Sequence, residues 1–227
     1  MSLFPVYAAF DGQNIWVVNS GGNTVTKLRA SDGANQGTFP AGGLPQGIAF
    51  DGANMWIASN TTHVVTKLRA SDGVNLGTFA TGQFPVAVVF DGANIWVANS
   101  QGNSVSKLRA IDGALQGTFA VGTQPFGAAF DGVNIWVTNS VGSVTKLRAS
   151  DGANLGNFSV GSTPYAIAFD GANLWVPNSG SNNVTKLRAS DGSNLGTFSV
   201  GTSPRGVAFD GLNIWVTNFS SSNVSRL

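Results

Sequence analysis

At 227 residues, with 30 glycines, only 10% charged side chains and no long helical periodicity, the chain fits one globule only as an all-β repeat architecture. Twelve Lys plus Arg against eleven Asp and no Glu leave a net charge of +1, which excludes the basic footprint that nucleic acid or an anionic membrane would need. No stretch approaches the ~18 consecutive apolar residues of a membrane span, no signal peptide is visible at the start, and the lack of cysteine removes disulfides, thiol chemistry and thiolate metal sites.

Pro5, Pro45, Pro85, Pro125, Pro164 and Pro204 occupy equivalent positions, so six units repeat at about 40 residues, the period of propeller blades. One unit is a residue shorter, between Asn139 and Val144, where a Gly/Ser segment marks a surface loop. Met1-Ser2-Leu3 matches no part of the repeat and reads as an expression remnant that would hide a natural signal peptide.

Each unit contains four predicted strands in a fixed order. The first, as at 206–209, carries small residues (Gly47, Ala87, Gly127, Ala166, Gly206) that suit strands crowded around a shared axis. An Asp-Gly turn leads to the second strand, as at 213–217, which carries Trp16, Trp56, Trp96, Trp136, Trp175 or Trp215, a large apolar surface for a neighbouring blade to cover. The third, as at 184–188, ends in Lys-Leu-Arg, and a second Asp-Gly turn leads to the fourth, as at 195–200. Pro177 interrupts a second strand that is expected to be central; it removes a donor, weakens pairing locally and marks a bulge.

The stretch Ile214-Trp215-Val216-Thr217-Asn218 and the run from Pro204 to Gly211 resemble the YVTN and NHL families of propeller repeats, over nearly the whole chain. The resemblance implies a six-bladed β-propeller occupying residues 1–227 as a single domain. The repeat design is also similar to the streptogramin-lyase branch, whose members carry a catalytic His, acidic residues and a magnesium ion. That pattern transfers to no position here, because Glu is absent and His63 stands alone. The last unit stops at Ser225-Arg226-Leu227, in its third strand, so a three-stranded sixth blade with an exposed edge is expected, open to pairing with another chain.

All eleven aspartates precede a glycine in a predicted turn, which leaves none for acid-base catalysis. An Asp-Gly-x-Asn turn offers too few oxygens for calcium, so neither a metal nor another cofactor is expected. Lys27, Lys67, Lys107, Lys146 and Lys186, with the arginine two residues after each, are expected to form surface ion pairs near the Asp-Gly turns. Outside the repeat stand only His63, Arg205, Tyr7 and Tyr165, and a nucleophile elbow or phosphate loop is missing in the right context. Enzymatic activity is therefore not expected.

The units differ most on either side of the repeat proline. Those segments reach the axis opposite the Asp-Gly face, so Phe4, Leu44, Gln46, Phe84, Val86, Phe126, Tyr165 and Arg205 are the candidate ligand-binding residues at the channel mouth. His63 is a candidate in the second variable loop, whose Ser, Asn and Gln side chains suit sugar hydroxyls. The expected protein is a non-catalytic binding or scaffold propeller for a small molecule, peptide or glycan. It is expected to belong to a bacterial exported or surface protein, extracellular or in the cell envelope, as a monomer or self-associating through the sixth blade. No nucleic-acid partner or membrane insertion is expected; a streptogramin-lyase-like enzyme and a lectin-like sugar-binding propeller are the alternatives.

Overall fold

The structure is a computed structural model that describes residues 4–227; the proposed Met1-Ser2-Leu3 remnant lies outside the described residues. Among the described residues the strands form six antiparallel sheets, five of four strands and a last one of three, and the fold is a six-bladed β-propeller. The chain divides into two compact units, one up to Thr118 and one from Phe119.

In the first unit, blade one comprises β1 (Pro5–Phe10), β2 (Asn14–Asn19), β3 (Thr24–Arg29) and β4 (Asn35–Pro40). Blade two comprises β5 (Pro45–Phe50), β6 (Asn54–Ser59), β7 (Val64–Arg69) and β8 (Asn75–Ala80). Blade three comprises β9 (Pro85–Phe90), β10 (Asn94–Asn99), β11 (Ser104–Arg109) and β12 (Leu115–Ala120), within which the unit boundary falls. In the second unit, blade four comprises β13 (Pro125–Phe130), β14 (Asn134–Asn139), β15 (Ser143–Arg148) and β16 (Asn154–Ser159). Blade five comprises β17 (Ala168–Phe169), β18 (Asn173–Asn178), β19 (Asn183–Arg188) and β20 (Asn194–Ser199), and blade six β21 (Pro204–Phe209), β22 (Ile214–Asn218) and β23 (Asn223–Arg226). The first strand generally begins at the proline itself, where a missing N–H does no harm.

Packing between successive blades follows one design in both units. Trp16 joins Met55, Ile57 and Leu68 of the next blade in one cluster, Trp56 joins Ile95, Val97 and Leu108, and Trp136 joins Leu174, Val176 and Leu187. A phenylalanine of its own outer strand also contacts the tryptophan, as in Trp56–Phe79, with ring centroids 5.4 Å apart and planes tilted by 38°. Inner strands approach so closely that a Cβ on Gly47 would lie 2.6 Å from the Val86 carbonyl oxygen, and one on Gly127 2.7 Å from that of Tyr165. At Gly47 and Gly127 the small residue is thus required by backbone-to-backbone contact.

Among the described residues, Lys27, Lys67 and Lys146 take backbone partners in place of the surface ion pairs expected of them. Lys27, Lys67 and Lys146 are buried, and each donates to two backbone carbonyls of the following blade: Lys67 Nζ to Ala110 O (2.7 Å) and Ile111 O (3.2 Å), Lys146 Nζ to Ala189 O (2.9 Å) and Ser190 O (3.1 Å). The ammonium also lies over its own blade's tryptophan, 4.9 Å from the ring centroid for Lys67 and Trp56. Lys and Trp are directly paired across the β6–β7 ladder, so the lysine stem lies along the apolar ring while its head reaches the neighbour's turn. The arginines do pair at the surface, Arg69 with Asp72 at 3.0 Å, both half-exposed.

The aspartates of the first turn do more than shape it. Asp51 accepts from the backbone N–H groups of Ala53 (2.9 Å) and Asn54 (2.6 Å) and from the Trp56 indole N–H (2.7 Å), and the same bonds recur at Asp91 and Asp131. Partial burial alone would raise the Asp51 carboxyl pKa, but the Trp56 and backbone donors outweigh it and hold the group below its ordinary value. A depressed native pKa stabilises the fold above the unfolded value of about 4, and that stability is lost as pH falls through the native value. The melting temperature should therefore be flat between about pH 7 and 5 and fall steeply below about pH 4, with a shallower acid slope in Asp51→Asn; a decline already complete at pH 5 would contradict the assignment.

Pro177 weakens pairing as expected, but not through a bulge in its own strand. β18 pairs with β19 in unbroken register from Asn173–Arg188 to Asn178–Asn183. The loss appears on the other side: β17 is reduced to Ala168–Phe169, with an isolated bridge at Pro164–Asn178, whereas the first strands of the other blades run six residues. The N–H that Pro177 lacks is the one that would face β17.

Candidate binding site

The residues flanking the repeat proline share one unusual backbone state. Phe4, Leu44, Phe84, Gln124, Thr163 and Ser203, each just before the proline, all have positive φ between 44° and 58°. L-residues adopt this region rarely, so it is held by the surrounding structure. It immediately precedes the inner strand, which generally begins at the proline.

In the unit from Phe119, that geometry assembles a stack. Phe126 and Tyr165, each following its proline, lie face to face with ring centroids 4.8 Å apart and planes inclined by 24°. The Arg205 guanidinium lies 5.4 Å from the Tyr165 ring and 3.8 Å from the Phe219 ring, between two aromatic faces. The arginine Nε is buried without a hydrogen-bond partner, and among the described residues no carboxylate pairs with this guanidinium. Phe219 was missed in the sequence, although a signal existed: it stands where the other five units have Ser20, Asn60, Ser100, Ser140 and Ser179.

In the unit up to Thr118 the candidates are dispersed. Phe4 and Leu44 are exposed, Val86 is half-buried with its carbonyl against Gly47, and Gln46 Nε2 donates to Ser20 Oγ at 3.1 Å. Phe84 contacts the His63 ring at 5.6 Å.

The loop imidazole has a structural role. His63 Nδ1 accepts from the Phe84 backbone N–H at 3.2 Å, as Asn23 Oδ1 accepts from Leu44 N–H (2.8 Å) and Asn182 Oδ1 from Ser203 N–H (2.9 Å). His63 has φ 57°, a left-handed conformation that asparagine tolerates well. His63→Asn should retain stability, whereas His63→Ala should cost about 1 kcal/mol in denaturant unfolding. Equal losses would show that the acceptor is idle.

Sequence reasoning also overlooked grooves on the Asp-Gly side, because their residues belong to the repeat. A groove of about 740 Å³ between blades one and two is lined by Asp11, Asn14, Lys27, Arg69 and Ser71, and one of about 570 Å³ between blades four and five by Asp131, Lys146 and Arg188. Their charged groups are already engaged: Asp11 by Trp16, Lys27 by Ala70 and Ser71, Arg69 by Asp72. A third cleft, of about 380 Å³ in the second unit, is lined by hydroxyl and amide side chains including Ser159, Ser181, Asn183 and Thr197.

These features define a propeller repeat protein with an arginine-aromatic stack in its second unit. Among solved structures, one titled streptogramin B lyase superposes with a TM-score of 0.79 at 18% identity, covering 94% of this chain and 74% of that one. A Kuenenia stuttgartiensis hydrazine synthase chain is similar with a TM-score of 0.67 at 15% identity, covering 98% of this chain and 95% of that one. At such identities the likeness concerns the fold. No family model and no curated protein sequence matches the chain.

Proposed function

We propose that this protein is a non-catalytic binding propeller whose Phe126–Tyr165–Arg205–Phe219 stack takes a small anionic ligand with a flat apolar part, such as an aromatic carboxylate or the end of a peptide. The observation that carries this reading is Arg205, a cation held between two rings with its Nε desolvated and no carboxylate partner among the described residues. Stacking fixes the plane of the guanidinium, so its fork is oriented before an anion arrives. The turn carboxylates support the absence of catalysis in this reading, since Asp11, Asp51, Asp91, Asp131, Asp170 and Asp210 all accept from their own turns and tryptophans.

Calorimetric titration with aromatic carboxylates and with peptides ending in Phe or Tyr tests the site. Arg205→Gln should weaken binding roughly 10- to 100-fold, the worth of a hydrogen bond to a charged group. Unchanged affinity in that variant overturns the assignment, as does a metal-dependent turnover abolished by His63→Ala. A second reading, glycan binding, rests on the hydroxyl- and amide-lined cleft near Asn183. Sugar binding that survives Arg205→Gln and is lost on Asn183→Ala would favour it.

A further inference from the structure

We infer that Thr138 and Thr217 are positioning residues of the stack, their hydroxyls fixing the backbone at Phe126, Tyr165 and Arg205 so that rings and guanidinium stand in register before a ligand arrives. The inference rests on the anion-binding reading of that site. Both threonines take the same place in the second strand of their blades, β14 and β22, one residue before the asparagine that ends the strand. In blades one, two, three and five that place is held by Val18, Ala58, Ala98 and Pro177, none of which carries a hydroxyl.

Thr138 joins two blades. It is fully buried, and its Oγ1 accepts from the Gly127 N–H at 2.7 Å and donates to the Tyr165 carbonyl oxygen at 3.1 Å, with Gly127 O farther off at 3.5 Å. One hydroxyl thus ties the peptide group between Phe126 and Gly127 to the carbonyl of Tyr165, and the rings of Phe126 and Tyr165 lie 4.8 Å apart. The tie matters most at Tyr165, because Tyr165 N–H donates to Pro177 O at 3.1 Å but Pro177 has no N–H to return, and β17 begins only at Ala168. In blade six, Thr217 Oγ1 accepts from the Gly206 N–H at 2.9 Å, which fixes the peptide group that follows Arg205. Such support leaves contact with the ligand to other groups and lowers the ordering cost of binding.

Nuclear magnetic resonance of the ligand-free protein reads this geometry directly, since the chain has two tyrosines, Tyr7 and Tyr165, and the ring current of Phe126 sets the Tyr165 ring shifts. Thr138→Val should move the Tyr165 ring signals, assigned by Tyr165→Phe, and weaken benzoate binding about 3- to 10-fold, the worth of one hydrogen bond, whereas Thr138→Ser should keep both near the wild type. Thr217→Val carries the test independently and should move the Arg205 Nε–H signal, assigned by Arg205→Gln, with a similar loss of affinity. Signals that stay in place in both valine variants overturn the inference, as does benzoate affinity unchanged in both. So does a serine variant that behaves like the valine one, which would assign the effect to the threonine methyl. Wild-type signals that benzoate leaves unmoved, with the valine variants still shifting them, would instead overturn the anion-binding reading and uphold the hydroxyl ties.

Discussion

Truncating Trp56 to alanine should destabilise the protein by about 3–5 kcal/mol, the range for removing a large aromatic from a packed interior. The ring is fully buried, in tilted contact with Phe79 and clustered with Ile95, Val97 and Leu108 of the next blade. Its indole N–H also donates to Asp51, beside the Asn54 amide, so the variant loses packing and leaves a half-buried carboxylate short of one partner. The same truncation at Trp215, 40% exposed, should cost about 1–2 kcal/mol, since much of the ring remains in contact with water in the native state. Denaturant midpoints with matched slopes give the comparison. Similar losses at the two sites would show that covering by the next blade is not where the tryptophan acts.

Replacing Lys67 with alanine should cost roughly 2–4 kcal/mol, several times the effect of Arg69→Ala two residues away. Lys67 spends its charge on the carbonyls of Ala110 and Ile111 in the neighbouring blade, and its removal leaves both without that donor, the first in a buried setting. The cation also loses its position over Trp56, a contact worth about 1–2 kcal/mol when desolvated. Arg69, half-exposed and paired with Asp72, should contribute no more than about 1 kcal/mol, and high salt should diminish it. Lys67→Met separates the charged head from the stem, because it keeps an apolar side chain over the ring and removes the ammonium with both its carbonyl bonds and its cation contact. If Lys67→Met matched the wild type, the ammonium would contribute nothing through either its interblade bonds or its place over the ring.

The candidate site shows why some residues were recoverable from sequence and others not. Phe126, Tyr165 and Arg205 stood out because they break the repeat next to a proline that sets the chain direction, and the structure brings these three together. Phe219 breaks the repeat as plainly, but it is reached through another loop, and only the fold places that loop beneath the guanidinium. His63 is unusual in type but ordinary in what it does, since it supplies the acceptor that Asn supplies at the same left-handed position elsewhere. Rarity in the repeat marks candidates, but bonding geometry assigns their work.

Period, turn chemistry and strand alternation are local properties, and they were enough to establish six blades, their strand order and the three-stranded last sheet, because each strand pairs with the next in sequence. What neighbouring blades do to one another lies beyond that range. Strand alternation places Lys27 and Arg29 on one side of a strand, yet in the folded chain Lys27 is buried against the next blade and Arg29 stays at the surface. Tertiary packing decided this through distance: the carbonyls that receive Lys27 lie 43 and 44 residues away along the chain. For the same reason, six tryptophans alike in sequence differ in exposure, since burial depends on what covers a face.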